Sequence, residues 1–301
     1  MHRIARVALA LSILTAGSAF AQNLRSAVAS TGLDTNPCTV ASPCRSFTTA
    51  LANTNTGGEV IALDSAGYGP FQVQGDMTVS GAPGVHAAVT ASSGGNAIGV
   101  TALLAHIVIR NLVLISNGGN FGISQTGGGD TYYDHLVVRG FSGGIVIMNG
   151  TATVDHCTVV NSFANGILAS SSGSRVRVTV TDSVLQGNGS SGVSATGPAD
   201  LAAVRCTLSG NNTGANADAS GTGIHTAVAL KECTVTNNGL AFAANAGANN
   251  DTAVVYLADN LIAYNATVAS VTGAAAVYTF TNNVIRENTS AGSAMGGVSL
   301  Q

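Results

Sequence analysis

Short apolar runs alternate with small polar turns along this chain, and one such unit recurs over most of its length. The unit has a polar or cysteine head, two or three largely apolar positions and a closing asparagine, as in Cys206-Thr207-Leu208-Ser209-Gly210-Asn211. Equivalent heads lie at positions 111, 135, 157, 183, 206, 233, 260 and 283, so the spacing varies between 22 and 27 residues. A period of this size without helical spacing of the apolar residues is typical of a solenoid.

Each repeat contains three strand-like pieces separated by Gly, Asn or Asp. The first piece carries an aliphatic position that we expect to face the interior, formed by Val113, Val137, Val159, Leu185, Leu208, Val235, Ile262 and Ile285. The second follows a glycine, as in Gly166-Ile167, and the third precedes the next head, as in Val176 to Thr181. Three pieces per repeat predict three parallel sheets, and about 280 residues at ~25 per coil predict about eleven coils. Long turns are expected at residues 213–222 and 243–252.

A column of asparagines follows the heads at a fixed distance of five residues. Asparagine tolerates left-handed backbone angles, and stacked amides can hydrogen-bond from coil to coil. We therefore predict a structural asparagine ladder formed by Asn188, Asn211, Asn238, Asn265 and Asn288.

The position before each head is polar or charged. It is occupied by Arg110, Asp134, His156, Asp182, Arg205, Glu232, Asp259 and Asn282. Opposite charges on neighbouring strands contribute a few tenths of a kcal/mol up to ~1 each. The column is consistent with a solvated charge ladder that fixes coil register, or with a polar stripe along a groove.

Composition narrows the class of protein. Only 8% of the 301 residues are charged and 5% are aromatic, there is no Trp, and glycine occurs 38 times. The chain is too apolar to be disordered and too poor in helix-forming residues to be helical, which leaves an all-β fold. The formal net charge is −3 and Lys231 is the only lysine, so we expect no nucleic-acid partner.

The first 21 residues have the pattern of a secretory signal peptide. A basic start with Arg3 and Arg6 precedes an apolar run, and Ala19-Phe20-Ala21 forms a small-x-small cleavage signal. A membrane anchor is the alternative, but the run has about 11 residues where a span needs roughly 20. We predict a signal peptide at residues 1–21, a single domain at 22–301 without a transmembrane anchor, and a secreted, periplasmic or cell-surface location.

The five cysteines fall into two groups. Cys38 and Cys44 are close in sequence and flank a turn-rich stretch, and in an oxidising compartment we predict a disulfide between them. Cys157, Cys206 and Cys233 occupy the head of the repeat, where they are expected to fill the interior. A bridge between Cys206 and Cys233 remains open if their side chains point together. No cysteine spacing indicates a metal site.

A helical cap is expected before the first coil, at about residues 38–57. Ser42 is a good N-cap and Pro43 is tolerated at the first helical position, with Phe47 and Leu51 on one face. This helix, the pair Gly57-Gly58, an apolar strand and Gly67-Tyr68-Gly69 together resemble the start of right-handed parallel β-helix proteins of the pectin lyase-like superfamily. The asparagine-bearing repeats fit the same superfamily.

The resemblance implies the fold closely and the activity loosely. This superfamily includes lyases, hydrolases, epimerases, esterases, tailspikes and adhesins, so the fold does not fix the function. The paired aspartates of polygalacturonases, the Asp-Pro-His-Asp motif of alginate epimerases and the acidic calcium site of pectate lyases are not found in the sequence. Ca²⁺ is implied only by analogy with the superfamily, and no other cofactor is expected.

Reactive side chains are concentrated at one place in the sequence. Asp and His on neighbouring coils can act as acid and base, and Tyr and Arg can hold an acidic sugar. The candidate catalytic residues are Asp134, His135, Arg139, Asp155 and His156, and the candidate binding residues are Tyr132 and Tyr133.

Three functions remain open from the sequence. We expect an exported scaffold that binds carbohydrate or another envelope ligand, without clear catalytic machinery. The first alternative is a polysaccharide lyase, hydrolase or epimerase that uses the residues above. The second is a structural protein that self-associates through its C-terminal end, where Met295 to Leu300 is expected to add an open-edged strand.

Overall fold

The computed structural model describes residues 22–221, 223–247, 250–280 and 282–298. The predicted signal peptide, residues 1–21, lies outside the described residues, as do Ser299 and Leu300 of the expected last strand. Among the described residues, no helix is both long and apolar enough to span a bilayer.

Almost all of the described chain consists of short strands. In chain order the elements are β1 (Asn23–Val28), α1 (Phe47–Ala52), β2 (Thr54–Ala62), β3 (Ala66–Tyr68), β4 (Phe71–Val73), β5 (Met77–Gly81), β6 (Ala87–Ala91), β7 (Ile98–Val100), β8 (His106–Arg110), β9 (Leu112–Ser116), β10 (Phe121–Gln125), β11 (Asp130–Asp134), β12 (Val137–Arg139), β13 (Gly143–Ile147), β14 (Thr151–Asp155), β15 (Thr158–Val160), β16 (Ile167–Ser170), β17 (Val176–Thr181), β18 (Val184–Gln186), β19 (Ser191–Thr196), β20 (Ala199–Val204), β21 (Thr207–Ser209), β22 (Thr213–Ala219), β23 (His225–Lys231), β24 (Thr234–Thr236), β25 (Leu240–Ala246), β26 (Thr252–Ala258), β27 (Leu261–Ala263), β28 (Thr267–Thr272), β29 (Ala275–Phe280), β30 (Val284–Arg286), β31 (Ser290–Gly292) and β32 (Gly296–Val298).

These strands form three parallel sheets, which confirms the predicted parallel β-helix. Sheet A has twelve strands in the order β1-β2-β5-β8-β11-β14-β17-β20-β23-β26-β29-β32. Sheet B runs from β3 to β30 and sheet C from β4 to β31, with ten strands each. From β2 onwards the chain visits A, B and C in turn, so it forms ten sets of three strands. The count is slightly below the predicted eleven because residues 22–53 form β1 and the cap instead of a coil.

The interior is filled by aliphatic columns, and the predicted column is wrong at its first two members. Val138, and not Val137, pairs with Leu114 on one side and Val159 on the other. Val138 is fully buried, whereas Val137 is 36% exposed. Side chains alternate between faces along a strand, so a one-residue error in register exchanges interior for exterior.

The predicted long turns also differ from the structure. Residues 213–219 form β22 and residues 240–246 form β25, each seven residues long. Both pair in register with strands of sheet C on either side, so the coils lengthen their strands there rather than bulging.

The cap begins later than the sequence predicts. Ser46, and not Ser42, is the N-cap of α1, and its hydroxyl accepts a hydrogen bond from the amide of Thr49. The chain before Ser46 is held in another way, because Cys44 bridges to β1 and forms the predicted disulfide with Cys38. Phe47 then covers the first coil by packing against Tyr68, at 5.2 Å between ring centroids.

The five asparagines form a continuous hydrogen-bonded ladder at the turn from sheet B to sheet C, which we call the asparagine corner. The Oδ1 atom of Asn238 accepts from the amide of Asn211 at 2.9 Å and from its Nδ2 at 3.1 Å. Asn238 Nδ2 donates to the carbonyl of Leu208 and to Oδ1 of Asn265, both at 3.0 Å. The same pattern links Asn188 to Asn211 and Asn265 to Asn288. Each amide therefore holds two coils in register.

The three remaining cysteines lie in the interior at the turn from sheet A to sheet B, and all three are free thiols. They also accept hydrogen bonds: the amide of Cys206 donates to Cys233 Sγ at 3.3 Å, and that of Cys233 to Asn260 Oδ1 at 2.8 Å. One coil earlier, Ser183 Oγ accepts from the amide of Cys157 at 3.0 Å. These heads thus form a second inner ladder rather than a purely apolar filling.

β32 lies at the end of sheet A and pairs only with β29 among the described residues. Self-association through this end stays a prediction.

Candidate functional site

The outward-facing residues at the turn from sheet A to sheet B form a column that we call the charged corner. It consists of Asn111, His135, His156, Asp182, Arg205, Glu232, Asp259 and Asn282. The first seven of these residues have left-handed backbones, with φ between 49° and 57°. Asn, Asp and His adopt this conformation more readily than most residues. Each amide that follows a strand reaches the next coil, as when His135 donates to the carbonyl of Asp155 at 3.1 Å.

Arg110 and Asp134 were predicted in this column but lie one position earlier, at the ends of β8 and β11. There Asp134 pairs in register with Arg110 on one side and Asp155 on the other. Arg110 contacts Glu59 at 3.5 Å. Asp134 and Asp155 therefore lie side by side on neighbouring strands, each directly followed by a histidine.

Each aspartate contacts the histidine that follows it. Asp134 Oδ1 contacts Nδ1 of His135, and Asp155 Oδ1 lies 3.1 Å from Nδ1 of His156. The two imidazole rings stack with centroids 4.9 Å apart and planes only 4° from parallel. Both histidines are about half exposed, at 57% and 50% of the side chain. Because the carboxylates engage Nδ1, the Nε2 atoms are the nitrogens left to meet a ligand.

Asp155 is the most strongly held carboxylate of the site. Tyr132 donates to its Oδ2 at 2.7 Å and Thr181 donates to its Oδ1 at 2.5 Å. Burial by itself would raise the pKa of Asp155, but hydrogen bonds from Thr181, Tyr132 and His156 outweigh it and lower this pKa to about 2. The hydrogen bond to Asp155 raises the pKa of Tyr132 to about 12. Asp155 is thus an anchored anion rather than a proton donor at neutral pH.

The next two members of the charged corner neutralise each other. Arg205 binds Asp182 in a bidentate manner, with Nε to Oδ1 at 2.8 Å and a terminal nitrogen to Oδ2 at 2.6 Å. The hydrogen bond from Arg205 lowers the pKa of Asp182. Beyond this pair, Glu232 contacts its neighbour Lys231 at 3.3 Å, and Asn282 donates to Asp259 at 2.6 Å.

Two of the seven predicted site residues do not join the others. Tyr133 is fully buried, where its hydroxyl donates to Gln125 Oε1 at 2.9 Å, and burial raises its pKa well above the ordinary value. Arg139 is at the end of β12 on the outer side of sheet B, and it makes no ion pair or hydrogen bond within the described ranges. Tyr132, Asp134, His135, Asp155 and His156 do converge on one surface.

The outer face of sheet A carries a further feature that sequence reasoning missed. The register of sheet A places in one outward column Tyr132, Thr153, Thr179, Ala202, Ala229, Tyr256 and Tyr278. Tyr256 stacks on Tyr278 with ring centroids 5.7 Å apart. Tyr132 and Tyr256 are separated by five strand spacings, which is about 24 Å. Aligning the third strand of each repeat by its end would have put Tyr256 and Tyr278 together from sequence.

Small side chains between these tyrosines leave a shallow groove. Its floor near Tyr256 is formed by Ala202, Ala229 and Ala258, with Lys231 and Phe280 beside them. On the side away from the charged corner, Arg175 binds Asp200 at 2.7 Å and Arg177 lies 3.9 Å from the same carboxylate. We call the column and these flanking charges the tyrosine face.

A separate cavity of about 750 Å³ lies beside the cap, between α1 and the first turns of sheet C. Gln72, Gln74 and Asn96 supply amides to it, and Asp76 is the one titratable residue of its lining. This cavity can bind a polar molecule, but it has no second titratable group for acid and base chemistry.

Comparison with known proteins identifies the fold. No protein-family model matches the chain, and no curated protein matches it in sequence. Among solved structures it is similar to pectate lyase Pel9A, with 14% identity and a TM-score of 0.66 over 91% of this chain and 79% of that one. It is also similar to the A-module of the Azotobacter vinelandii mannuronan C-5 epimerase AlgE6, with 12% identity and a TM-score of 0.56 over 81% and 91% of the two chains.

A third similar structure is that of XylC in complex with xylose, at 7% identity and a TM-score of 0.55, over 87% of this chain and 70% of that chain. At these identities the likeness concerns the path of the backbone. The chain therefore shares the parallel β-helix fold of pectate lyase and of the mannuronan epimerase.

Proposed function

We propose that this protein is an exported carbohydrate-binding β-helix whose ligand lies along the tyrosine face. The observation that carries the proposal is the register that places Tyr132, Tyr256 and Tyr278 in one outward column of sheet A. Export is supported by the signal-peptide pattern of residues 1–21 and by the disulfide near the cap, since disulfides persist in oxidising compartments.

The chemistry of the face suits an extended polar chain. A tyrosine ring offers a flat apolar surface with a polar tip, so it can pack against the faces of sugar rings and still meet water. The Thr and Ala residues between the tyrosines keep the surface low over about 24 Å. Arg175, Arg177 and Asp200 on one side can donate to and accept from hydroxyl and carboxylate groups.

The structural neighbours support this class of ligand. One is named a pectate lyase and another a mannuronan C-5 epimerase, so both are named for acidic polysaccharides. Their names lend weight to carbohydrate as the ligand class, and the particular polysaccharide is left to experiment.

Binding is tested by titrating a panel of soluble acidic and neutral polysaccharides and following heat or intrinsic tyrosine fluorescence. We expect at least one polysaccharide to bind, and Tyr256→Ala to weaken it about tenfold, because one stacked aromatic contributes about 1 kcal/mol or more. Tyr264→Ala is the matched control, since Tyr264 is exposed at the turn after β27, away from this face. Equal losses in both variants, or no binding across the panel, would rule the proposal out.

A second candidate is a polysaccharide lyase, hydrolase or epimerase acting at the charged corner. It is favoured by the two Asp–His contacts on neighbouring coils, since a carboxylate on Nδ1 leaves Nε2 to take or give a proton. In this function His135 and His156 act as base and acid, and the anchored Asp155 orients His156. Tyr132 holds Asp155, while Arg139 and Tyr133 have no role.

Turnover distinguishes the two functions. The purified protein is incubated with the same polysaccharides, and unsaturated products, new reducing ends and altered uronate stereochemistry are measured. If the corner is catalytic, His135→Ala abolishes product formation while His106→Ala, another exposed histidine beside an aspartate, keeps it. Binding without any product in the wild-type protein supports the scaffold and excludes the enzyme for that polysaccharide.

A further inference from the structure

We propose that Asp134, His135 and His156 form a binding site for a first-row transition-metal ion such as Zn²⁺. The three residues come from two neighbouring coils of the charged corner. One ligand atom from each, a carboxylate oxygen or a ring nitrogen, lies within 4.8 Å of the other two. The proposal is independent of carbohydrate binding and catalysis, since its readout is metal binding alone.

The donor set selects the class of ion. Two imidazoles and one carboxylate form a ligand set that zinc uses at open sites, where water takes the fourth position. Ca²⁺ requires six to eight oxygen ligands, and Mg²⁺ also prefers oxygen, so two ring nitrogens favour neither. The site is therefore expected to prefer Zn²⁺, Ni²⁺ or Cu²⁺ over the alkaline-earth ions.

A second group, Asp155, His156 and Asp182, satisfies the same distance criterion and competes for His156. Its two carboxylates are already engaged. Both oxygens of Asp182 accept from Arg205, and both oxygens of Asp155 accept from Tyr132 or Thr181. A metal ion would have to displace a guanidinium from the first of these. Asp134, by contrast, contacts only His135 among the described side chains.

Asp155 supports the site from outside. Its Oδ1 lies 3.1 Å from Nδ1 of His156, so it fixes the ring orientation and leaves Nε2 for the ion. Carboxylates in this outer position typically change metal affinity 10- to 100-fold. Tyr132 and Thr181 hold the carboxylate in place.

Binding requires one local movement. A metal ion lies in the plane of each imidazole that binds it, and the rings of His135 and His156 are parallel and stacked. At least one ring must rotate to aim its nitrogen at a shared ion. Both side chains are half exposed, so such a rotation meets little resistance from packing.

The test is calorimetric titration of chelator-treated, full-length protein with ZnCl₂, with native mass spectrometry to count the ions. We expect one Zn²⁺ per chain in the wild type and loss of that site in His156→Ala. Asp155→Asn is expected to bind 10- to 100-fold more weakly, since it keeps the ligands and loses their support. His106→Ala is the matched control, because His106 lies 3.7 Å from Asp130 without a second histidine, and it should bind as the wild type does.

Circular dichroism of each variant shows whether the fold is retained, and a Ca²⁺ titration tests the choice of ion. Asp182→Asn is expected to leave Zn²⁺ affinity unchanged. The proposal is overturned if the wild type binds no Zn²⁺, if His156→Ala binds it equally well, or if Asp182→Asn loses it. A tenfold excess of Ca²⁺ that displaces Zn²⁺ would overturn the assignment of ion class.

Discussion

The asparagine corner and the charged corner are both columns of turn residues stacked from coil to coil, yet they differ in almost every physical respect. Asn188, Asn211, Asn238 and Asn265 are buried, and each amide finds its partners on the adjacent coils. At the charged corner the side chains change from coil to coil and half of each histidine meets solvent.

The difference teaches how to separate structure from chemistry in a solenoid. An identical side chain in every coil satisfies its own donors and acceptors by translation along the axis, so it needs no ligand. A column whose members change charge cannot do this, and its residues pair locally, as Asp182 does with Arg205. The unpaired stretch that remains, from Asp134 to His156, is where an external ligand can bind.

The largest effect is expected from breaking the asparagine corner at its centre. Asn238→Ala removes the acceptor of the Asn211 amide and the donor to the Leu208 carbonyl, and leaves both groups unpaired in the interior. Each buried unpaired group costs about 1–3 kcal/mol, so we expect a loss of about 3–5 kcal/mol. Urea unfolding followed by circular dichroism measures it.

Asn212→Ala provides the control, since Asn212 is the exposed neighbour of Asn211 in the same turn. We expect its unfolding midpoint to stay close to that of the wild type, within about 0.5 kcal/mol. If the two variants were equally stable, the ladder would not be what holds these coils in register.

This contrast was partly readable in the sequence. The recurring asparagines and the period of 22 to 27 residues predicted a three-sheet β-helix because a fixed spacing repeats the same environment in each coil. The register failed in the coils of Val113 and Val137, where the repeat was aligned one residue away from the left-handed turn position. Nothing in those two coils resembles the Cys-Thr head that fixes the later ones.

The site was less predictable than the fold. Tyr132 and Tyr133 were treated alike, although alternation along β11 sends the first outward to Asp155 and the second inward to Gln125. Arg139 is close in sequence but lies on another sheet. The Tyr256 column was missed because strands of sheet A differ in length, so counting from the head does not align their outer faces.

A smaller effect is expected from the inner ladder beneath the charged corner. Cys233→Ala removes the sulfur that accepts from the buried amide of Cys206 at 3.3 Å. We expect a cost of about 2 kcal/mol for the unpaired amide and the lost volume. Cys233→Ser should cost less, since Ser183 already accepts from the amide of Cys157 in the same column. Urea unfolding of both variants under reducing conditions decides it; equal losses would show that the thiol only fills space.

The next effect depends on pH and concerns Asp155 at the charged corner. Its pKa is lowered from 3.8 to about 2, so the carboxylate stabilises the folded protein above pH 3.8 and the contribution disappears as the pH falls toward 2. Asp155→Asn should therefore be less stable than the wild type near neutral pH, by about 1 kcal/mol.

Thermal midpoints of the two proteins are compared from pH 7 down to 2. We expect the gap to narrow steadily below pH 3.8 and to close near 2. In Tyr132→Phe, which removes one of the stabilising hydrogen bonds, the wild-type decline should begin at a higher pH. A gap that stays constant over the whole range would mean that the charge of Asp155 does not contribute.

The smallest effect is expected at the ion pair of Asp182 and Arg205, which distinguishes the exposed column most sharply from the buried one. Both residues lie at the surface, where solvent and salt screen a bidentate contact and side-chain entropy opposes it. Arg205→Ala should therefore leave the unfolding midpoint of the wild type unchanged at physiological ionic strength. What should change is the titration of Asp182, since the hydrogen bond from Arg205 lowers its pKa. Carboxyl NMR signals followed from pH 6 to 2 should show Asp182 titrating at higher pH in Arg205→Ala than in the wild type. A variant that unfolds as readily as Asn238→Ala would show instead that the charged corner holds the coils as firmly as the asparagines do.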